Sequence, residues 1–366
     1  MKRSKIFSLL LTTAVAIPSA LWAGDEAMLR IGGRICADTA WKIYNSDATN
    51  RNELRRARLF LKGAFSKRLF YETEYDFTRG GAWKDIALSY RFDSVTDLTI
   101  GNIKEPFSLE ALTSSKYNTF MERGLPNRLT EARKLGLRFR TGYGTKRWFW
   151  HLGTGYFTVP VENLSQTGST DSAALRTTLS YNGAVLWHIG ASFGHTRYDD
   201  QKRKLSFRPE SHPVTVKYLQ TKLKHLQKSN RYGLETYWQY GRLSLQAEYI
   251  GARYLTRKKR YNFSGWYLQT SCFLTDHKRR YKRKEALFGR LKVSKKITSG
   301  GLGAWEAALR VSHVDMQKSG SLTTWTLGLN WHMTSHLRTM FEYVGIDTQT
   351  EKSSPDILQM RIAYDF

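Results

Sequence analysis

Two stretches of this 366-residue chain carry side chains suited to holding an oxyanion. In 54–65, Arg56, Arg58, Phe60 and Lys62 share one face of an alternating segment, and Ala57, Leu59, Leu61 and Phe65 share the other. If the apolar face meets lipid, Arg56, Arg58 and Lys62 line an interior. Arg55 has the wrong parity and reaches that interior only from a bulge or from the rim. The second stretch is 105–133, which offers the hydroxyls of Thr113, Ser114 and Ser115, with Lys104, Lys116, Arg123 and Arg128 in or beside it. Guanidinium stays charged and presents a planar fork of donors to oxyanion oxygens, and hydroxyls add neutral donors. Several moderate sites in series suit an ion that must also leave. On residues alone, 105–133 is equally well a surface loop with scattered charge. Opposing carboxylates occur at Glu72, Glu74 and Asp76, on one face of 70–77. They are expected to pair with wall cations, positioning them and weakening their field.

Other chemistry is poorly supported. The nine histidines include no HExxH or other ligand spacing, and no GxSxG occurs, so no metal site or hydrolase centre is expected. Gly142 and Gly144 form a fragment of a Gly-rich pattern without a Walker lysine, which reads as a turn. Cys36 and Cys272 lie far apart and in no CxxC, and are expected to be unpaired. No cofactor is expected.

The chain carries 58 Lys+Arg against 31 Asp+Glu, a formal charge of +27, which by itself suits nucleic acid, a membrane surface or a small anion. The N-terminus decides among these. Lys2, Arg3 and Lys5 precede an apolar stretch, 6–17, then Pro18-Ser19-Ala20-Leu21-Trp22-Ala23 and acidic Asp25-Glu26. This is the pattern of a secretory leader, expected at 1–23 with cleavage after Ala23 or Ala20. A protein exported from the cytoplasm has no genomic DNA or ribosome to bind, so no nucleic-acid partner is expected.

The dominant periodicity beyond the leader is two. Leu358, Met360, Ile362, Tyr364 and Phe366 alternate with Gln359, Arg361, Ala363 and Asp365; Trp325 to Met333, Leu243 to Tyr249 and Trp305 to Val311 repeat the pattern. Sixteen such strands are expected near 28–44, 51–66, 69–78, 84–92, 96–104, 134–143, 148–158, 172–182, 185–198, 230–240, 242–254, 263–275, 301–315, 321–333, 335–346 and 356–366. Connections after even-numbered strands are mostly tiny, and those after odd-numbered strands longer, notably 105–133 and 199–229. Short turns on one rim and long loops on the other suit an all-β, transmembrane antiparallel β-barrel, formed as one domain over 24–366. The connection 276–300 breaks this rule, and is expected to hold a strand pair or to fold inward. Aromatic residues near strand ends suit interface girdles, although a sugar-stacking ladder gives the same composition.

Residues 101–127 read Gly-Asn-Ile-Lys-Glu-Pro-Phe-Ser-Leu-Glu-Ala-Leu-Thr-Ser-Ser-Lys-Tyr-Asn-Thr-Phe-Met-Glu-Arg-Gly-Leu-Pro-Asn. This resembles the phosphate-selective porin O and P family, as do Ile31-Gly32-Gly33-Arg34, Leu54-Arg55-Arg56-Ala57-Arg58, Phe207-Arg208-Pro209-Glu210-Ser211-His212 and Thr326-Leu327-Gly328-Leu329-Asn330-Trp331. The resemblance implies a sixteen-stranded trimeric barrel whose pore carries anions past an arginine ladder and a constriction loop at about 105–133. It places Arg34, Arg55 and Arg56 at ladder positions, Ser114, Ser115 and Arg123 at the constriction and its phosphate site, and Arg208 in a basic loop folded into the mouth. Two positions depart from the pattern: the lysine before the Thr-Ser-Ser triplet is Ala111 here, and an acidic residue near the site is replaced by Lys84, with Asp85 beside it. The C-terminal alternation ending in Phe366 resembles the strand signal read by outer-membrane assembly machinery.

Together these expectations describe a passive, anion-selective porin of the outer membrane of a Gram-negative-type bacterium, not an enzyme. The expected solutes are phosphate, polyphosphate and chloride, and the expected pore residues are Arg34, Arg55, Arg56, Arg58, Lys62, Lys84, Lys104, Ser114, Ser115, Lys116, Arg123 and Arg208. Lipid, lipopolysaccharide, the assembly machinery and two further copies of the chain complete the expected partners. The basic runs at 202–204, 257–260, 278–280 and 282–284 suit anion enrichment at the entrances, lipopolysaccharide contact or plain solvation, the last favoured for 257–260. The alternatives are a general diffusion porin with weak anion preference, a barrel enzyme such as a lipid esterase, and a surface receptor or adhesin.

Overall fold

The computed structural model describes residues 21–23, 27–43, 51–163, 170–348 and 356–366. No helix among them is long and apolar enough to cross a membrane, and the chain crosses with strands instead. Sixteen run in chain order: β1 (Ala27–Lys42), β2 (Arg51–Ala64), β3 (Leu69–Asp76), β4 (Ala82–Arg91), β5 (Asp97–Ile103), β6 (Lys134–Gly144), β7 (Trp148–Phe157), β8 (Thr170–Asn182), β9 (Leu186–Phe207), β10 (Leu219–Tyr240), β11 (Leu243–Thr256), β12 (Arg260–Phe273), β13 (Ala304–Asp315), β14 (Ser321–His332), β15 (Leu337–Thr348) and β16 (Ile357–Asp365). Each pairs antiparallel with the next, and β16 returns to β1, setting Asp365 opposite Arg34. Gly33 and Phe366 exchange backbone hydrogen bonds of 3.1 Å beyond that pair. Closure satisfies the backbone groups that an open edge would leave facing hydrocarbon. The expected leader lies outside the described residues, save the backbone of Leu21–Ala23, which pairs with Ala27–Leu29.

The period-two pattern sorts the two faces. Leu234 and Ile100 are 62% and 58% exposed on the outer wall, with Leu137, Leu175, Ile189, Leu268, Leu327 and Ile362 also exposed. Arg176, Arg231, Arg310 and Arg361 are fully buried on the inner face. An outside this apolar, around an inside this charged, is stable only where the outside meets lipid. Connections of few residues, such as 145–147, 183–185 and 333–336, gather on one rim. Gly241 makes the tightest of these turns, between β10 and β11, and its φ of +53° is a conformation other residues resist. Aromatic side chains gather beside this rim: Trp148 meets Trp187 at 5.3 Å, and Trp305 stacks on Trp331 at 5.1 Å. Amphipathic rings at strand ends form an interfacial girdle.

One connection differs from its sequence-based expectation, and a second takes the form expected of it. The expected loop 199–229 is mostly strand: β9 and β10 each run for 22 residues, leaving only 208–218 as loop. Register shifts near Arg197, Gln201 and Arg203 interrupt the alternation there, which hid the strands from pattern reading. The connection 274–303, on the short-turn rim, contains a hairpin of Tyr281–Lys282 with Leu287–Phe288 and folds into the barrel. Arg279 lies 3.7 Å from the Phe288 ring centroid, and the Ala286 carbonyl accepts from Arg176 Nη2 at 2.9 Å. Both alternatives expected for this segment, a strand pair and an inward fold, are present together.

Candidate functional site

Residues 104–133, between β5 and β6, fold into the barrel and are held there by carboxylates that accept from their backbone. Ser108 caps a single helical turn, α1 (Leu109–Leu112), accepting from Ala111 N at 3.1 Å. Glu248 on β11 accepts from Leu109 N and Glu110 N at 3.0 and 2.7 Å. Glu342 on β15 accepts from Met121 N at 2.6 Å, and Glu210, from the loop after β9, accepts from Leu125 N at 3.0 Å. A buried amide left without an acceptor is costly, and each of these bonds ties the inward loop to a residue far from it in the chain. Phe107, Leu125 and Leu129 add apolar anchorage against Ile250, Phe263, Val314 and Leu322.

The inward loop separates two cavities of the lumen. The one toward the long-loop rim has a volume of about 550 Å³, and the one toward the short-turn rim about 440 Å³. Arg56, Lys104, Leu112, Ser115, Arg123 and Arg133 line both, so they mark the neck between them. Arg133 is neutralised by Asp85 through bonds of 3.0 and 2.6 Å. Arg123 instead donates to the carbonyls of Glu110 and Thr113 at 2.8 and 2.9 Å, and Lys104 Nζ to those of Ala111 and Leu112. Neither Lys104 nor Arg123 has an ion pair among the described residues, so no acid of the chain competes with a solute at either. Burial, with Arg123 and Arg133 beside it, pushes the Lys104 amine well below the usual lysine range. Arg123 remains charged at every working pH, whereas Lys104 takes up its proton most readily with an anion beside it.

Arg55 and Arg56 both reach this lumen because β2 carries a bulge: Arg56 faces Cys36 and Leu54 faces Ala37, leaving Arg55 unpaired between them. Arg55 grips Glu122 through two bonds of 2.8 and 2.9 Å, Arg56 lies 3.8 Å from the same carboxylate, and Arg361 also reaches it at 2.8 Å. Burial would raise the Glu122 carboxyl, but Arg55, Arg56 and Arg361 hold it well below the usual carboxylate range. Of the other expected residues, Arg34, Arg58, Lys62, Ser114 and Lys116 line the cavity toward the short-turn rim, and Arg208 lines the other. Lys84 lines neither; its carbonyl accepts from Asn102 Nδ2 at 2.6 Å. The β3 carboxylates pair with the β2 cations as expected. Arg58 bonds Asp76 at 2.6 Å and Glu74 at 2.7 Å, Arg34 reaches Glu74 at 3.3 Å, and Lys62 bonds Glu72. Arg34 also donates to Ser115 Oγ at 2.7 Å, tying ladder to loop. Ligand oxygens of Glu72, Glu74 and Asp85 lie within 4.8 Å of one another, but Lys62, Arg34, Arg58 and Arg133 already engage them. A metal ion would have to displace those cations. Cys36 and Cys272 are free, as expected.

The model of the family described as phosphate-selective porin O and P matches residues 29–366. The chain belongs to that family. An uncharacterized protein of Caulobacter vibrioides is 28% identical over 318 residues, which span 81% of this chain and 63% of that protein. Porin O of Pseudomonas aeruginosa is 22% identical over 374 residues, spanning 88% of this chain and 84% of that one. Among solved structures, the anion-selective porin from Comamonas acidovorans aligns with a TM-score of 0.55 at 12% identity, covering 93% of this chain and 100% of that one. At that identity the likeness concerns the fold alone. Membership and the closed barrel make this a multi-pass porin of the outer membrane.

Within this porin the lumen contains charged residues that pattern reading passed over. Arg133 ends the inward loop, and Glu122 gathers three guanidiniums across it. Arg138 and Arg140 face the lumen from β6, and their signal was present in Lys134, Arg138 and Arg140 alternating with Leu135, Leu137 and Phe139. Glu248 and Glu342 had no such signal, because their role depends on what crosses the barrel toward them.

Proposed function

We propose that this porin is a passive anion-selective channel in which Lys104, Arg123 and Ser115 form the selective neck, with phosphate and polyphosphate as the favoured solutes. The observation that carries this reading is a neck whose two basic groups without an ion pair among the described residues donate to loop carbonyls rather than to carboxylates. An anion entering the constriction loses water, and preorganised cations and hydroxyls replace that hydration without a competing acid to displace. Arg208 draws anions in from the long-loop side and Lys116 receives them on the other, while Arg34, Arg55, Arg56, Arg58 and Lys62 line the way as wall residues held against carboxylates. The Caulobacter relative extends well beyond the region matched, so transport is claimed for this chain on its own residues. The leader at 1–23 delivers a barrel over 24–366, and three copies assemble in the membrane, as the family resemblance implies.

A second reading, a general diffusion porin with weak anion preference, draws support from the neutralised ladder: Arg34, Arg58, Lys62 and Arg133 each sit against a carboxylate. Ala111 and Lys84 point the same way for phosphate. Planar-bilayer recording in a chloride gradient, with phosphate then polyphosphate added, separates the two. An anion-side reversal potential with block by phosphate below the chloride concentration supports the first reading. An anion-side potential without block leaves the second, and no conductance overturns both in favour of a receptor or enzyme.

A further inference from the structure

The connection between β9 and β10, residues 208–218, does not stay beside the strands that carry it. It crosses the long-loop mouth to the opposite wall. Glu210 accepts from Arg310 on β13 at 2.6 Å, and the Glu210 carbonyl accepts from Gln359 on β16 at 3.3 Å. Val214 packs on Ala40, Val344 and Ile357, from β1, β15 and β16. His212 reaches further still, to Glu53 on β2 and to Arg79 in the connection 77–81. Arg208, Ser211, His212 and Arg79 all line the cavity on this side, so the segment roofs it.

The contact at the tip joins three side chains. Glu53 Oε1 accepts from His212 Nδ1 at 2.7 Å, and Glu53 Oε2 accepts from Arg79 Nη2 at 2.7 Å. Arg79 Nη1 lies 2.5 Å from His212 Nε2, and Arg79 Nη2 lies 2.6 Å from Nδ1. Arginine only donates, so Nε2 must offer it a lone pair; neutral imidazole has one and imidazolium has none. A proton on His212 therefore sets N–H against N–H and charge against charge. A proton on Glu53 removes the acceptor that Arg79 and His212 share. Both loosen the contact. Arg55 on β2 and Glu122 of the inward loop also face His212, and Arg208 donates to its carbonyl at 3.3 Å. Burial lowers the His212 imidazole, Arg55 adding to the shift and Glu53 and Glu122 opposing it. A lowered value means that the contact has its full strength above the ordinary histidine range and loses it as pH falls below. Among the described residues no other side chain holds Arg79, whose φ of +57° is a conformation that a non-glycine residue resists. We propose that residues 208–218 form a strap across the outer mouth, latched by neutral His212 between Glu53 and Arg79 and released by acid. Release frees the tip and widens the entrance, while Glu210 keeps the inner end on Arg310. Long loops face the outside medium, whose pH the cell does not set. The strap acts on the width of the mouth, whichever ion the neck prefers.

The test records single-channel conductance of the full-length porin in potassium chloride, whose ions do not titrate, at about pH 7 and about pH 5. Wild-type conductance should rise on going from the neutral to the acid solution. His212→Gln offers a neutral donor and acceptor in both, so the latch holds and conductance should stay at the wild-type neutral level. His212→Ala has no latch, so its neutral conductance should already match the wild-type acid level and rise no further. Both changes lie in a rim connection and leave the barrel folded, which heat-modifiable migration on a gel checks. Equal wild-type conductance in the two solutions overturns the strap. So does a rise of the same size in His212→Gln, or a His212→Ala channel identical to wild type at neutral pH. The reversal potential, read in the same recordings under a salt gradient, reports on the neck separately. A cation-side value overturns the proposed function and leaves the strap standing.

Discussion

At the scale of single residues, what matters at the neck is the state of each cation rather than the number of them. Most lumen cations of this porin are bound to acids: Arg231 to Glu105 at 2.7 Å, Arg310 to Glu210 at 2.6 Å and Arg361 to Asp38 at 2.6 Å. Such pairs build the wall and leave little field for a solute. Replacing Lys104 or Arg123 by Gln should therefore move the reversal potential toward zero and weaken phosphate block about tenfold, while Arg58→Gln should change both far less. Lys116 is different again. Burial lowers its amine to about 8, although Asp365 at 3.7 Å opposes the shift. A lowered lysine pKa means that charge is present below pH 8 and lost above it. Anion preference should fall as pH rises from about 7 to about 9, and Lys116→Gln should remove that step; reversal potentials across this range check both. Glu122→Gln removes the acid shared by Arg55, Arg56 and Arg361 and should cost about 3–5 kcal/mol, read as a lower urea midpoint for barrel unfolding.

At the scale of elements, the inward loop is a short stretch of irregular backbone inside a membrane protein, which is stable only when its amides find acceptors. Glu248 provides two of them for the start of α1 and also accepts from the Tyr267 hydroxyl at 2.6 Å. Glu248→Ala should free α1, and with it the carbonyls that orient Lys104. The expected result is a wider conductance distribution and weaker anion selectivity, with the barrel still folded; single-channel amplitude histograms check it. The β2 bulge is the second element on which the site depends. It turns an i, i+1 pair, which a regular strand would send to opposite faces, into two lumen guanidiniums. Deleting Arg55 should restore the regular register and remove one cation from the outer cavity, without exchanging the faces of the strand beyond it.

At the scale of the whole molecule, two segments from opposite rims enter one lumen. The loop 104–133 comes from the long-loop rim, and the hairpin within 274–303 comes from the other, where it packs Phe288 4.7 Å from the Tyr237 ring and sets Tyr281 against His188 at 2.6 Å. Lys282, Glu285 and Leu287 of that hairpin also line the lower cavity. Replacing residues 278–290 by a short turn should therefore raise single-channel conductance, because this segment narrows the exit. The sign of the reversal potential should persist, since the neck lies elsewhere.

Strand number, strand order and the two faces of the wall were legible in the chain itself. Alternation such as Leu358 to Phe366 records which side of each residue meets lipid, and a barrel must show that record in every spanning strand. The basic lumen face of β2 and the hydroxyls of 113–115 were legible for the same local reason. Even Arg55 announced its problem, as a parity conflict that pointed to a bulge. Tertiary structure alone decided which cations stay free. Lys104 and Arg58 both read in the sequence simply as basic residues, and they differ because Glu74 and Asp76 reach Arg58 across a strand pair while, among the described residues, loop carbonyls alone accept from Lys104. It also decided that Glu248 and Glu342, far along the chain, hold the loop that holds the neck. Pairing across a lumen depends on closure, and closure is a property of all sixteen strands together.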